Sequence, residues 1–103
     1  MSNWIDVAAE ADLFDGAGIA VTPAGQDIAL FSVDGEVFAI NNLCTHGNAK
    51  LCDGFVDDHH VECPFHQAQF SLRDGSVACG PATEPARTWP VKIESGRVLL
   101  QLD

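Results

Sequence analysis

Two short motifs of cysteine and histidine constrain this chain more than any other feature. The first reads Cys44-Thr45-His46, and the second reads Cys63-Pro64-Phe65-His66. Together they use two of the four cysteines and two of the four histidines in the 103 residues. Thiolates and imidazoles at such tight spacings are typical of metal ligands, so these four side chains predict one metal centre. A chain of this length forms one domain, and a bound metal would help to stabilise its modest core.

Each motif pairs one cysteine with one histidine, and this pairing distinguishes between kinds of metal centre. In a Rieske centre, two cysteines hold one iron of a [2Fe–2S] cluster and two histidines hold the other iron. Structural zinc sites also use two cysteines and two histidines, but their motifs usually group like ligands together. The mixed pairs therefore predict a Rieske-type cluster, with Zn²⁺ as one alternative and four unliganded side chains as another.

The balance of charge bears on the kind of partner. Fifteen acidic and five basic residues give a net charge of −10, which argues against nucleic-acid binding and favours docking on a basic protein surface. Solubility alone is the alternative reason for the acidic excess. No apolar run is long enough to span a membrane, and the start of the chain lacks the pattern of a secretory signal, so the cytoplasm is the expected location.

Short apolar runs between turn residues predict an all-β fold. Asp34-Gly35, Asp74-Gly75 and Ser95-Gly96 favour hairpins, and a helical or turn segment is expected over residues 8–14. The expected strands are residues 3–7, 18–21, 27–33, 36–40, 55–56, 60–62, 69–72, 76–78, 88–93 and 97–102.

All the cysteines and histidines lie within residues 41–80, so the ligands fall on loops between short strands. We therefore expect a single Rieske domain over residues 1–103. Within it, a cluster-binding subdomain of about residues 41–81 is inserted in a base subdomain formed by residues 1–40 and 82–103.

The motifs and their surroundings resemble the Rieske ferredoxins of bacterial aromatic ring-hydroxylating dioxygenases, most of all the naphthalene-dioxygenase type. The matching positions are residues 42–47, 53–54, 62–64, 66–67, 79, 81 and 89–94. The resemblance implies an antiparallel β-sandwich of three sheets, with the cluster at one tip beneath the Gly80-Pro81 loop. It assigns Cys44 and Cys63 to the buried iron, and His46 and His66 to the outer iron near solvent.

The resemblance also implies a one-electron carrier. Such a protein accepts an electron from a flavin-containing ferredoxin reductase that uses NAD(P)H, and passes it to the Rieske centre of a terminal non-haem iron oxygenase. It breaks no substrate bond, so this chain is expected to be an electron-transfer component and not an enzyme. Phe65, Gln67 and Pro81 would line an apolar docking tip, while the acidic flank would steer the encounter.

Two other functions are open at this point. The chain could be the Rieske small subunit of a multisubunit reductase, such as assimilatory nitrite reductase. Such subunits can lack ligands, so four intact ligand residues favour the carrier. The chain could also be the isolated Rieske domain of an oxygenase, but 103 residues leave no room for a catalytic iron domain.

Differences from the quinol-oxidising Rieske proteins predict the reduction potential. Those proteins carry a disulfide between two extra cysteines, and the matching positions here are Ala49 and Phe65. They also aim two hydroxyl groups at sulfur atoms, and the matching positions here are Ala68 and Phe70. Since donors to sulfur stabilise the reduced cluster, their loss predicts a potential near the low end of the roughly −150 to +300 mV Rieske range.

The remaining cysteines and histidines have simpler interpretations. Cys52 and Cys79 are expected to be small thiols that are buried or partly buried, with a disulfide between them as the alternative. His59 and His60 are expected in a polar turn after Asp57-Asp58. They lack the setting of an oxygenase iron, so no second metal site is expected.

Overall fold

The computed structural model describes residues 4–43, 49–64, 68–79 and 85–102, which form three antiparallel sheets. The first sheet has the order β1, β11, β10, the second β2, β3, β4, β9, and the third β5, β6, β7, β8. The strands are β1 Trp4–Ala9, β2 Gly18–Val21, β3 Ile28–Val33, β4 Glu36–Asn41, β5 Phe55–Asp57, β6 His60–Glu62, β7 Gln69–Ser71, β8 Val77–Cys79, β9 Thr88–Trp89, β10 Val91–Glu94 and β11 Arg97–Gln101.

Helical structure in these residues is confined to three short 3₁₀ turns, Glu10–Asp12, Pro23–Gly25 and Leu51–Asp53. The first of them confirms the helical or turn segment expected over residues 8–14. No helix in the described chain has the length and apolar character needed to cross a bilayer. The all-β prediction is confirmed.

Strand β3 lies at the centre of the molecule, because both of its faces are buried. Ala29, Phe31 and Val33 pack in an apolar cluster with the third sheet, while Ile28 and Leu30 pack in a second cluster with the first sheet. The second sheet is therefore the middle layer. Burial on both faces explains why β3 is almost continuously apolar instead of alternating.

Three hairpins close through two-residue turns in which both central residues have positive φ. The values are 52° and 85° at Asp34-Gly35, and 51° and 77° at Ser95-Gly96, as the sequence predicts. The third turn, Asp58-His59, reaches 47° and 63° without a glycine. The polar turn expected at His59 and His60 is thus shifted by one residue, and His60 begins β6.

Two details of the predicted strands are wrong. The single strand expected over residues 88–93 is broken at Pro90, which has no N–H to donate, and the chain passes there from the second sheet to the first. Asp74-Gly75 does not form a two-residue hairpin turn. Residues 72–76 connect β7 to β8, and the Ser71 N–H donates to the Ser76 carbonyl oxygen at 2.8 Å.

Gly75 provides a test of backbone packing. Its φ is 78°, its carbonyl oxygen accepts the Ala86 N–H at 2.8 Å, and a Cβ on it would overlap the Ala86 carbonyl oxygen. Gly96 has nearly the same φ, 77°, with nothing within 4 Å of a Cβ.

We expect Gly96→Ala to lower the free energy of unfolding by about 1 kcal/mol, which is the cost of positive φ alone. Gly75→Ala should cost clearly more, because the contact with Ala86 must also break. Thermal unfolding of both variants measures the difference. Equal losses would show that the close approach at Gly75 contributes nothing.

Candidate metal centre

Cys63 is the one predicted ligand that lies in the described part of the chain; Cys44, His46 and His66 lie outside it. It directly follows β6, and its side chain is completely buried. A cysteine shielded from water in this way suits a thiolate on the inner iron of a cluster, whose outer iron is held by histidines.

The residues on either side of the first motif are held together. Leu43 and Lys50 pair as an isolated antiparallel bridge, and the Leu51 N–H donates to the Asn42 carbonyl oxygen at 2.6 Å. This pairing forms a stem that closes the first ligand segment, defined as residues 44–48. The described residues that flank the segment are therefore held together by backbone contacts.

A second stem closes the other motif. The Cys63 N–H donates to the Ala68 carbonyl oxygen at 2.7 Å, continuing the pairing of β6 with β7. Glu62 and Gln69 are opposite each other in this pair, and the Gln69 side-chain amide donates to the Glu62 carboxylate at 3.1 Å. The second ligand segment, defined as residues 63–67, is thus flanked by two paired residues of one hairpin, Glu62 and Gln69.

The two stems meet in one apolar cluster, which also contains the buried face of β3. Ala49 and Leu51 come from the first stem, and Cys63 and Ala68 come from the second. Both motifs therefore start from the same region of the fold, next to a buried thiol. This arrangement fits a cluster held from two sides, as the mixed cysteine and histidine pairs require.

Gly54 permits the close contact between these stems. A Cβ at this position would overlap the carbonyl oxygen of Glu62, the residue just before Cys63. The Gly54 N–H also donates to the Leu51 carbonyl oxygen at 2.9 Å. The matching glycine in the sequence pattern is thus explained by the approach of two backbones and not by an unusual φ.

The segment that contains Gly80 and Pro81 lies outside the described residues, but both of its flanks are fixed. On one side, Cys79 in β8 pairs with Gln69 in β7. On the other side, Ala86 donates its N–H to Gly75. The chain on either side of residues 80–84 is therefore attached to the third sheet.

A polar network at the first stem has no counterpart in the sequence analysis. The Asp27 carboxylate accepts the side-chain amide of Asn42 at 2.9 Å and forms an ion pair with Lys50. The Asn42 side-chain oxygen accepts the Cys52 N–H at 2.8 Å. Hydrogen bonding to Lys50 lowers the pKa of Asp27 and raises that of Lys50, so both groups are charged at neutral pH.

Ala68 and Phe70, the two positions with no hydroxyl group to donate to a cluster or cysteine sulfur, lie in the core of the fold. Ala68 and Phe70 are completely buried, and Ala49 is almost completely buried, in the same cluster as Cys63. Phe65 lies outside the described residues. The low reduction potential expected from these positions stays a prediction.

Among the described residues, no group of three or more metal-ligating side chains occurs. Cys52 is half-buried and forms no disulfide with a described residue, and burial raises the pKa of its thiol. The side chain of Cys79 is not described. His59 packs edge-on against Phe38, with ring centroids 5.9 Å apart.

Comparison with known proteins agrees with this geometry. Residues 3–90 match the family model of the Rieske [2Fe–2S] domain. The chain is 45% identical over 101 residues to the ferredoxin component of the naphthalene 1,2-dioxygenase/salicylate 5-hydroxylase systems of Ralstonia sp., covering 98% of this chain and 97% of that protein. The ferredoxin of Sphingomonas yanoikuyae B1 has a TM-score of 0.92 at 40% identity, covering 98% of this chain and all of that one.

Two further structures bear on possible partners. A complex of reduced oxygenase and oxidised ferredoxin in carbazole 1,9a-dioxygenase matches with a TM-score of 0.88 at 32% identity, over 95% of this chain and 92% of that one. A protein described as an NADH-dependent nitrite reductase small subunit, from Mycobacterium tuberculosis, matches with a TM-score of 0.86 at 28% identity, over 97% and 95%. The likeness to dioxygenase ferredoxins is thus the stronger one.

These findings decide between the kinds of metal centre that the sequence left open. Zn²⁺ and the absence of any metal are excluded as interpretations of the chain, because the family model describes a [2Fe–2S] domain and matches residues 3–90. The chain belongs to the Rieske [2Fe–2S] domain family, and its cofactor is a Rieske-type cluster.

Proposed function

We propose that this chain carries single electrons from an NAD(P)H-dependent flavin reductase to the Rieske centre of a terminal oxygenase that hydroxylates aromatic rings. The observation that carries the proposal is the single buried base, formed by two closed stems, from which both motifs start. The full-length likeness to ferredoxin components of dioxygenase systems supports it. A bound Rieske cluster supplies one-electron chemistry, and no residue of this chain needs to act on a substrate.

The four motif residues would hold this cluster. Cys44 and Cys63 would bind the inner iron as thiolates, while His46 and His66 would bind the outer iron through neutral imidazoles. The complete burial of Cys63 and the closure of both ligand segments support this assignment.

We also infer a division of the single domain, residues 1–103, into two subdomains. The cluster-binding part would be residues 41–81, inserted in a base formed by residues 1–40 and 82–103. The division is supported by the third sheet, Phe55 to Cys79, which falls wholly inside the first range.

Docking on a partner would use the tip and its flank. Phe65, Gln67 and Pro81 would provide apolar contact at the tip, and these three residues lie outside the described chain. On the flank, Asp53, Asp57, Asp58 and Glu62 form no ion pair with a described residue. Such a cluster of unpaired carboxylates favours a partner with a basic surface.

The basic residues do not offset this charge at the surface, because each of them is already engaged. Four form ion pairs with carboxylates, and Arg87 stacks over the Trp89 ring at 4.8 Å. Most carboxylates in the described part of the chain therefore have no paired cation.

The alternative, a Rieske subunit of an assimilatory nitrite reductase, is favoured only by the weaker structural likeness. The two functions differ in how the protein is isolated. A carrier purifies alone as a coloured protein and exchanges electrons with its partners in transient encounters. A subunit purifies within a stable complex.

The assignment of His66 as a ligand is tested by His66→Cys. A third thiolate adds negative charge, which disfavours reduction, so the midpoint potential should fall by roughly 100 mV or more if the cluster assembles. Electron paramagnetic resonance of the reduced protein and a redox titration measure both effects. His60→Cys, on the third sheet, is the matched control and should leave the spectrum unchanged. A normal Rieske spectrum in His66→Cys would remove His66 from the ligand set.

The origin of the expected low potential is tested by Ala68→Ser. Ala68 is completely buried next to Cys63, so a hydroxyl there can donate to sulfur. One such hydrogen bond, worth about 1 kcal/mol more in the reduced state, would raise the midpoint potential by about 40 mV. Ala39→Ser, in the other apolar cluster, is the control for a buried hydroxyl. An unchanged or lower potential in Ala68→Ser would contradict the interpretation.

Electron transfer itself is tested with the reductase and terminal oxygenase of a naphthalene dioxygenase system. The wild-type chain should be reduced by the first and reoxidised by the second in rapid-mixing experiments. Asp53→Lys should slow reduction by roughly threefold to tenfold at low ionic strength, and salt should diminish the difference.

Asp12→Lys is the matched control for this experiment, since it makes the same change in net charge in the turn after β1. Equal slowing by both variants would mean that net charge alone governs the encounter. A rate that responds to neither charge reversal nor salt would exclude electrostatic steering. Failure of the oxygenase to reoxidise the wild-type chain would contradict the proposed function.

A further inference from the structure

Asp27 lies just before β3, far from both motifs in the sequence, yet its carboxylate reaches both ends of the first ligand segment. One oxygen accepts the Asn42 side-chain amide at 2.9 Å, and the other is paired with the Lys50 ammonium group. Its backbone carbonyl oxygen also accepts the Asn42 N–H at 3.0 Å. The side chain is about three-quarters buried, with 24% of its surface exposed.

Asn42 extends this contact into the protein. Only 1% of its surface is exposed, so its polar groups depend on protein partners. Its side-chain oxygen accepts the Cys52 N–H, and its backbone oxygen accepts the Leu51 N–H. Asn42 thus connects Asp27 to the strand end before the segment and to the 3₁₀ turn after it.

The two partners of Asp27 flank residues 44–48, one on each side. Asn42 precedes the segment by two positions, and Lys50 follows it by two. A carboxylate with one oxygen on each partner fixes the separation of the two ends. Backbone contacts already attach the Asn42 flank to β3, because Asn41 pairs with Ile28 and the Asn42 N–H donates to the Asp27 carbonyl oxygen. The Asp27 side chain adds a second attachment, through the Lys50 flank.

We propose that Asp27 is a positioning residue for the cluster: by holding the side chains of Asn42 and Lys50, its carboxylate ties the two flanks of the first ligand segment to each other beside β3 and so keeps the ligand pair in one arrangement. This inference depends on the proposed function, in which Cys44 and His46 are ligands. The role requires no contact of Asp27 with either ligand, because Asp27 acts through the ends of the segment. Removal of residues that orient metal ligands commonly lowers metal affinity by about tenfold to a hundredfold.

The charges of the pair suit this role. Hydrogen bonds from Lys50 and Asn42 lower the pKa of Asp27, and the bond to Asp27 raises the pKa of Lys50. Both groups are therefore charged at neutral pH, so their ion pair persists there.

The test compares Asp27→Ala with Asp6→Ala in the cluster-loaded protein. Asp6 is also ion-paired, with Arg97, but it lies on β1 in the first sheet. Both variants remove one negative charge and one ion pair. Loss of the cluster to a chelator, followed by visible absorbance, should be roughly tenfold faster for Asp27→Ala than for Asp6→Ala.

Two readouts separate positioning from a general loss of stability. In Asp27→Ala, the electron paramagnetic resonance lines of the reduced cluster should broaden, because the ligand pair would sample several arrangements. Amide hydrogen exchange at Leu51 and Cys52 should accelerate. Asp6→Ala should change neither, even if its unfolding temperature falls by the same amount. Unchanged line shape and cluster loss in Asp27→Ala would overturn the proposal.

A second pair of variants covers the case in which Asp27→Ala does not fold. Lys50→Met removes the ion pair but leaves the contact of Asp27 with Asn42, and Lys92→Met is its control, since Lys92 pairs with Glu94 on β10. Lys50→Met should lose the cluster several-fold faster than Lys92→Met. Equal rates would also overturn the proposal.

Failure of this inference is distinguishable from failure of the proposed function. If all Asp27 and Lys50 variants retain a normal cluster while His66→Cys changes its spectrum, the ligand set stands and only the positioning role is lost. If His66→Cys leaves the spectrum unchanged, the ligand assignment fails independently of Asp27.

Discussion

The contact on which the site depends is the packing of the third sheet against one face of β3. Phe31 and Val33 on β3 share an apolar cluster with Val61 and Phe70 on the third sheet. The stems of both ligand segments belong to this same cluster. Without it, each stem could close through its own hydrogen bonds, but nothing would hold the two motifs at a common centre. The packing of this apolar cluster therefore sets how far apart the two stems lie, which the hydrogen bonds within each stem do not determine.

Local chemistry accounts for most of what the sequence predicts about the fold. The turns at Asp34-Gly35 and Ser95-Gly96 are encoded by two adjacent residues that accept positive φ, so they were predictable. The break at Pro90 and the longer connection around Gly75 were not. Pro90 has a local signal in its missing N–H, but the passage there from the second sheet to the first depends on distant strands, as the connection at Gly75 depends on Ala86.

The same distinction applies to the metal centre. A ligand set can be proposed from the sequence because cysteine and histidine stand together in two short motifs, as expected for a Rieske cluster. The network around Asp27 is not predictable, because its contacts with Asn42 and Lys50 span 15 and 23 residues, and an aspartate beside a strand is ordinary. Short motifs in the sequence thus suggest which residues are ligands, whereas the positions of those residues depend on tertiary contacts. The only hint of this network in the sequence was Asn42, which belongs to the matched motif although its side chain is not a predicted ligand.

The distribution of charge follows from how few cations the chain has. The chain has only five basic residues. Each one that pairs with a carboxylate or packs over an aromatic ring is less available to balance the other surface carboxylates. Lys50 is the clearest case, since its charge is opposed by Asp27 at the first stem. The carboxylates beside the ligand segments, such as Asp53 and Glu62, form no ion pair with a described residue. The ion pair at the first stem thus uses one of few cations, and in the proposed function the carboxylates left unpaired would attract a basic partner.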